Sequence, residues 1–211
     1  MANKKIKKRE KKKKFSFRNE GSKARKYLKD SDNYVAVVAG VFVLFFMFGF
    51  VFPYVAPAEV LEPVLEEVRK LIEDLIEKTE GKGVLGMFGF IFGTNVSIAF
   101  IAVAFGLLLG IVPIFLMMSN GFMIGLISSL ITAEVGFLSL WRLLPHGVFE
   151  IPAIIISFAI GIKFGAFIFA QDKLEAFKSR FWNSARVFFL IVVPLLLVAG
   201  IIESLLIVYG G

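Results

Sequence analysis

Five ionisable side chains and one amide stand inside otherwise apolar sequence: Glu134, Arg142, His146, Glu150, Glu203 and Asn95. An ionisable group at membrane depth is costly, and it marks a functional site by default. Three carboxylates face one guanidinium, which leaves a charge of about −2 when His146 is neutral. Three resolutions stand open. Burial can keep a carboxyl protonated, His146 can take a proton, or a cation can sit among them. On a helix, His146 and Glu150 share a face at i and i+4. With Glu134 they make a His-plus-carboxylate set of the kind that holds a divalent metal such as zinc. The same groups are able to do acid–base work. No serine or threonine is placed as an obvious nucleophile beside them. The chain has no cysteine, which removes thiolate ligands, thiol nucleophiles and disulfides. The simplest arrangement is a structural network in which Arg142 pairs with Glu150 or Glu134 and His146 is hydrogen-bonded. The expectation is a polar cluster with no catalytic residue and no cofactor, a metal or proton site being the alternative.

The elements that must position these groups are long apolar runs. Five span roughly residues 34–55, 84–118, 121–144, 148–170 and 187–209. About 20 apolar residues are what a helix needs to cross a bilayer core. Inside lipid only a structure that satisfies its own backbone is stable, so each run reads as helix. The composition agrees: 57% hydrophobic residues, 25 Phe and a mean hydropathy of +0.80 over 211 residues. The expected fold is all-α: a polytopic transmembrane helical bundle of about five spans. A single membrane-embedded domain covers 33–211.

Residues 1–32 hold 14 Lys or Arg against four acids. Such a segment buries nothing and reads as a disordered basic tail. The positive-inside rule puts it in the cytoplasm, near anionic lipid headgroups. No aromatic platform or basic groove accompanies the charge, so nucleic acid is not an expected partner. The first span, Tyr34–Val55, then runs outward. The second returns over roughly Asn95–Met118, with Ser119, Asn120 and Gly121 as a tight inner turn. The third runs outward from Gly121 to Glu134 and the fourth comes back from Val148 to Ala170. Lys163, near its inner end, is placed to snorkel to the headgroups. A net positive loop at 171–186 precedes the fifth span, Val187–Tyr209. This puts the protein in the cell membrane as a multi-pass chain, N-terminus cytoplasmic and C-terminus external. All six polar residues then fall toward the outer side.

Two stretches do not fit simple crossings. Val84–Thr94 reads as a separate interfacial or half-inserted helix. Phe137–Leu144, ending at Pro145, His146 and Gly147, is too short to span and reads as a re-entrant half-helix. Residues 58–83 carry eight acids against four bases and read as an external amphipathic helix. Leu61, Leu65, Val68, Ile72 and Leu75 form its apolar stripe, suited to the membrane surface or to a dimer contact. Small residues recur at four-residue spacing in Gly89/Gly93, Gly106/Gly110, Gly121/Gly125 and Gly161/Gly165, where helix backbones can approach closely. No internal repeat supports an inverted-repeat transporter.

The string Leu144-Pro145-His146-Gly147-Val148-Phe149-Glu150 resembles the PHG-x-x-E signature of the stage II sporulation protein M family. Asn120-Gly121 with Gly125 is similar to that family's NG-x-x-x-G turn. Asn95 and the pair Gly106 and Gly110 match its span opening and its glycine-rich second span. The resemblance covers roughly 84–170. It implies five spans and an inside N-terminus. It also implies a role like that of the member in spore formers, a membrane scaffold that recruits peptidoglycan-degrading partners during engulfment. The expected partners are therefore membrane lipids, a second copy in a homodimer, and other membrane or cell-envelope proteins. A transporter, channel or permease-like subunit built on the polar cluster is the alternative. The lysine-rich tail and the long acidic helix lie outside the family signature.

Overall fold

The computed structural model describes residues 16–138 and 144–209, with the side chains of 144–146 outside the description. Among these residues there are helices and no strand. They are α1 (Phe17–Lys29), α2 (Asp32–Val55), α3 (Ala58–Thr79), α4 (Val84–Ala104), α5 (Ile111–Val135), α6 (Leu144–Gly165), α7 (Lys173–Val187) and α8 (Val193–Tyr209). Five stretches are long and apolar enough to cross a membrane: Asp32–Val55, Val84–Leu107, Ile111–Val135, Gly147–Phe169 and Lys173–Tyr209. The last contains α7, a π turn at Phe188–Val192 and α8 in one continuous run. At 1.5 Å per residue it is about 55 Å long, more than a bilayer core requires. Its Phe188–Tyr209 part is apolar apart from Glu203 and Ser204.

Helix α6 is the hub, packed against α2, α4, α5, α7 and α8. It is mostly apolar, and Ala153, Ile154, Phe158, Ala159, Ile160 and Phe164 are buried. Ala153 and Ile160 join one core cluster with Ala99 of α4 and Leu196 of α8. Ile154, Phe158 and Ala159 join a second with Val38 and Phe42 of α2 and Met117 of α5. Glycine sets the closest approaches. Gly121 and Gly125 of α5 lie against the α2 backbone at Phe42 and Phe46, and Gly49 of α2 lies against Phe122. Gly161 and Gly165 of α6 lie against Ala102 and Gly106. Three of the four expected glycine pairs thus pack within one chain, whereas Gly89 and Gly93 face open space.

The second and third spans differ from expectation. Val84–Thr94 is no separate piece: α4 runs unbroken from Val84 to Ala104. The turn to α5 lies at Leu108–Gly110, not at Ser119–Gly121. Leu109 and Gly110 adopt φ of 58° and 74°, a left-handed pair that reverses the chain in two residues. The turn closes with Gly110 N–H to the Gly106 carbonyl at 2.8 Å and Ile111 N–H to the Leu108 carbonyl at 3.0 Å. Apolar turn residues left no polar signal in the 84–118 run. Asn120, the expected turn residue, is mid-helix and donates through Nδ2 to its own Leu116 carbonyl at 2.8 Å. The expected re-entrant half-helix falls mostly on 139–143, outside the described residues. At its start Phe137 and Leu138 are exposed, and Leu144 already belongs to α6.

The basic segment is also more structured than composition suggests. From Phe17 on it forms α1, which buries Ala24 and Tyr27 and packs on α7. Residues 1–15 lie outside the description. Glu20 of α1 pairs with Arg186 of α7 and with Lys23. The bonds from Lys23 and Arg186 hold its carboxyl below the usual carboxylate range. Lys163 does not end free at a headgroup. Its Nζ donates to the Asp30 carbonyl at 2.7 Å and to Ser31 Oγ at 2.8 Å, and lies 4.2 Å from the Tyr27 ring centroid. Arg180 donates in turn to the Lys163 carbonyl at 2.7 Å. The basic ends of α1, α6 and α7 are thereby joined.

Candidate functional site

The packing of α4, α5, α6 and α8 leaves a cavity of about 300 Å³ at the end of the bundle away from α1 and α7. Its polar groups come one or two per helix: Thr94 and Asn95 from α4, Ser128 from α5, Glu150 from α6 and Glu203 from α8. The rest of the wall is apolar, including Phe90, Ile124 and Ile151, and Leu75 of α3 stands at its edge. The sequence builds this locally. The polar residues are few in otherwise apolar helices, so burying the apolar neighbours on adjacent helices draws the polar ones toward a common space. Gly147 adds wall without side-chain bulk, where a β-carbon would meet only Ile151 at 3.6 Å. Thr94 donates its hydroxyl to the Phe90 carbonyl at 2.9 Å. Ser128 is almost fully buried, and Asn95, Glu150 and Glu203 are half-buried.

Three members of the expected cluster therefore meet: Asn95, Glu150 and Glu203. Glu134 does not join them. It sits exposed one residue before the end of α5 and is absent from the cavity wall. Arg142 lies outside the described residues. His146 falls in the first turn of α6, four residues before Glu150, and its side chain is outside the description. Among the described residues no group of three His, Asp or Glu is placed to hold a metal. Sequence reasoning missed Ser128, Thr94 and Leu75. A serine pair at Ser128–Ser129 in an apolar run was the available signal.

The two sequence signatures have different jobs. Gly121 and Gly125 carry α5 onto α2, a packing role. Gly147 and Glu150 face the cavity, while Pro145 and His146 share the first turn of α6 with Gly147. Chemically the cavity offers two carboxylates, an amide and hydroxyl oxygens in a low-dielectric surround. That set suits a cation or a hydrogen-bond donor. A family model described as stage II sporulation protein M matches residues 38–206, which takes in α3 through α7 and most of α2 and α8. No curated protein and no solved structure matches the chain.

Proposed function

The chain belongs to the stage II sporulation protein M family, and on that premise we propose that it is a non-enzymatic scaffold that organises partners in the membrane. In this reading the basic ends, α1 and α7, face the cytoplasm and α3 faces outward. The observation that carries it is α3. Val68, at its middle, is buried, and its second half presents Leu71, Ile72, Leu75 and Ile76 at 42–58% exposure. Glu66, Glu67, Glu73 and Asp74 line the other side, with Lys70 and Lys78 paired to them. An apolar ridge on an acidic helix is suited to a groove or a matching helix on a second copy or another envelope protein. A photoreactive residue placed at Ile72 is expected to form protein adducts in native membranes, and Leu71→Glu is expected to remove them. Adducts to lipid alone would contradict the proposal.

The polar cavity favours a second reading, a permeation or solute site, because intramembrane carboxylates often mark such paths. Liposome flux separates the two. The scaffold reading expects the same baseline permeability to protons and common cations in the wild type, Glu150→Gln and Glu203→Gln. A wild-type flux abolished by either substitution would replace it.

A further inference from the structure

A second cavity, of about 240 Å³, lies where α4, α6, α7 and the π turn meet and takes no part in the polar site. Its floor is buried, with Phe164 and Phe188 each 4% exposed. Its rim is open, with Phe100 at 53%, Phe181 at 45% and Phe189 at 63%. The rings brace one another: Phe100 to Phe188 at 5.9 Å, Phe164 to Phe181 at 6.2 Å and Phe188 to Phe189 at 5.1 Å between centroids. The π turn at Phe188–Val192 lets both Phe188 and Phe189 reach this space. Such wide turns recur where helices serve a function.

What fills the space follows from its surroundings. Its walls are apolar except for the buried Ser184, and a cavity so nearly apolar favours an apolar occupant over water. Its rim faces outward from membrane-spanning segments, where the solvent is acyl chain. At about 30 Å³ per water-sized group it admits a chain segment of on the order of eight methylenes. The charge beside it selects the lipid. Lys178 shares a face of α7 with Phe181, Trp182 and Ala185 by its spacing of three, four and seven residues. Lys178 is exposed, and among the described residues no ion pair engages it. Trp182, 60% exposed, is the residue type that settles at headgroup depth. We propose that this cavity is a specific lipid site, in which an acyl chain of an anionic phospholipid lies among Phe100, Phe181 and Phe189 while its phosphate meets Lys178.

The test uses the full chain in bilayers of equal phosphatidylglycerol and phosphatidylcholine, with retained lipid read by native mass spectrometry. The wild type is expected to hold phosphatidylglycerol roughly five-fold in preference, the effect of one lysine near an anionic group. Lys178→Glu is expected to erase the preference, and Ala185→Phe, which fills the cavity, to lose the retained lipid. Lys70→Glu on α3 is the control that changes neither. Equal retention of the two lipids by the wild type, or an unchanged preference in Lys178→Glu, overturns the proposal. A mid-chain photoreactive phosphatidylglycerol gives a reading on the unsubstituted protein. Adducts on Phe100, Phe181 or Phe189 support the site, and adducts confined to other surfaces overturn it.

Discussion

Gly125→Ala is expected to destabilise the folded bundle by about 3 kcal/mol, while Gly89→Ala is expected to leave it unchanged or stabilise it by up to about 1 kcal/mol. Both add one methyl to a membrane-spanning helix, and only their surroundings differ. At Gly125 the new carbon would land on the Phe46 carbonyl oxygen and 2.9 Å from the Phe50 backbone nitrogen. Backbone cannot swing aside as a side chain does, so α2 as a whole must retreat. That loosens contacts at Phe42 and Phe46 and breaks the close fit that holds two helices together where no hydrophobic force does so. At Gly89 nothing lies within 4 Å. Reversible unfolding in mixed micelles, followed by the helical signal, measures both. Equal stability of the two variants would mean that the α2–α5 contact is not the close seam described.

The second large effect is at Lys163. Lys163→Met keeps most of the apolar stem and removes the ammonium. It leaves the Asp30 carbonyl and Ser31 Oγ without their donor, and Ser31 is fully buried. A hydrogen bond from a charged group contributes about 1.5–3 kcal/mol, and leaving its partner buried adds to the loss. The cation over the Tyr27 ring goes as well. The expected consequence is release of α1 rather than collapse of the spans, because α1 adds only Ala24, Tyr27 and Leu28 to a core cluster whose other members lie on α4, α6, α7, α8 and the π turn. Amide exchange of Lys23–Lys29 is expected to approach that of an isolated helix, while α6 stays protected. Unchanged protection of α1 would show that the Glu20–Arg186 pair and the Tyr27 packing hold it alone.

The crossings were legible because hydropathy alone sets them. The number five follows from runs of about 20 apolar residues, and the structure has five stretches long and apolar enough to cross a membrane. Boundaries failed where the signal was chemical silence. Leu108, Leu109 and Gly110 turn the chain with nothing polar to announce it, whereas Ser119-Asn120-Gly121 looks like a turn and is helix. In lipid, Asn120 can satisfy itself on its own backbone and Gly121 serves packing, so turn chemistry read from soluble proteins misleads. The site was half legible. Intramembrane charge singled out Glu150 and Glu203, and Asn95 came with them. Glu134 looked equivalent in sequence, but its place near the end of α5 leaves it exposed. The helical register that separates these cases depends on which face each helix turns to its neighbours, and glycine contacts decide that. Lys163 was read as a headgroup anchor because nothing local in the sequence places Ser31 beside it, 132 residues away.

The account depends on one arrangement: α1 and α7 gathered at one face of the membrane and α3, with the polar cavity, at the other. The chain has no cysteine, so single cysteines report without background. With Lys23→Cys, Lys178→Cys and Glu73→Cys in intact cells, an impermeant maleimide is expected to label only position 73. Positions 23 and 178 react once the membrane is opened. Labelling of positions 73 and 178 from the same side would contradict the arrangement and, with it, the scaffold that presents α3 outward.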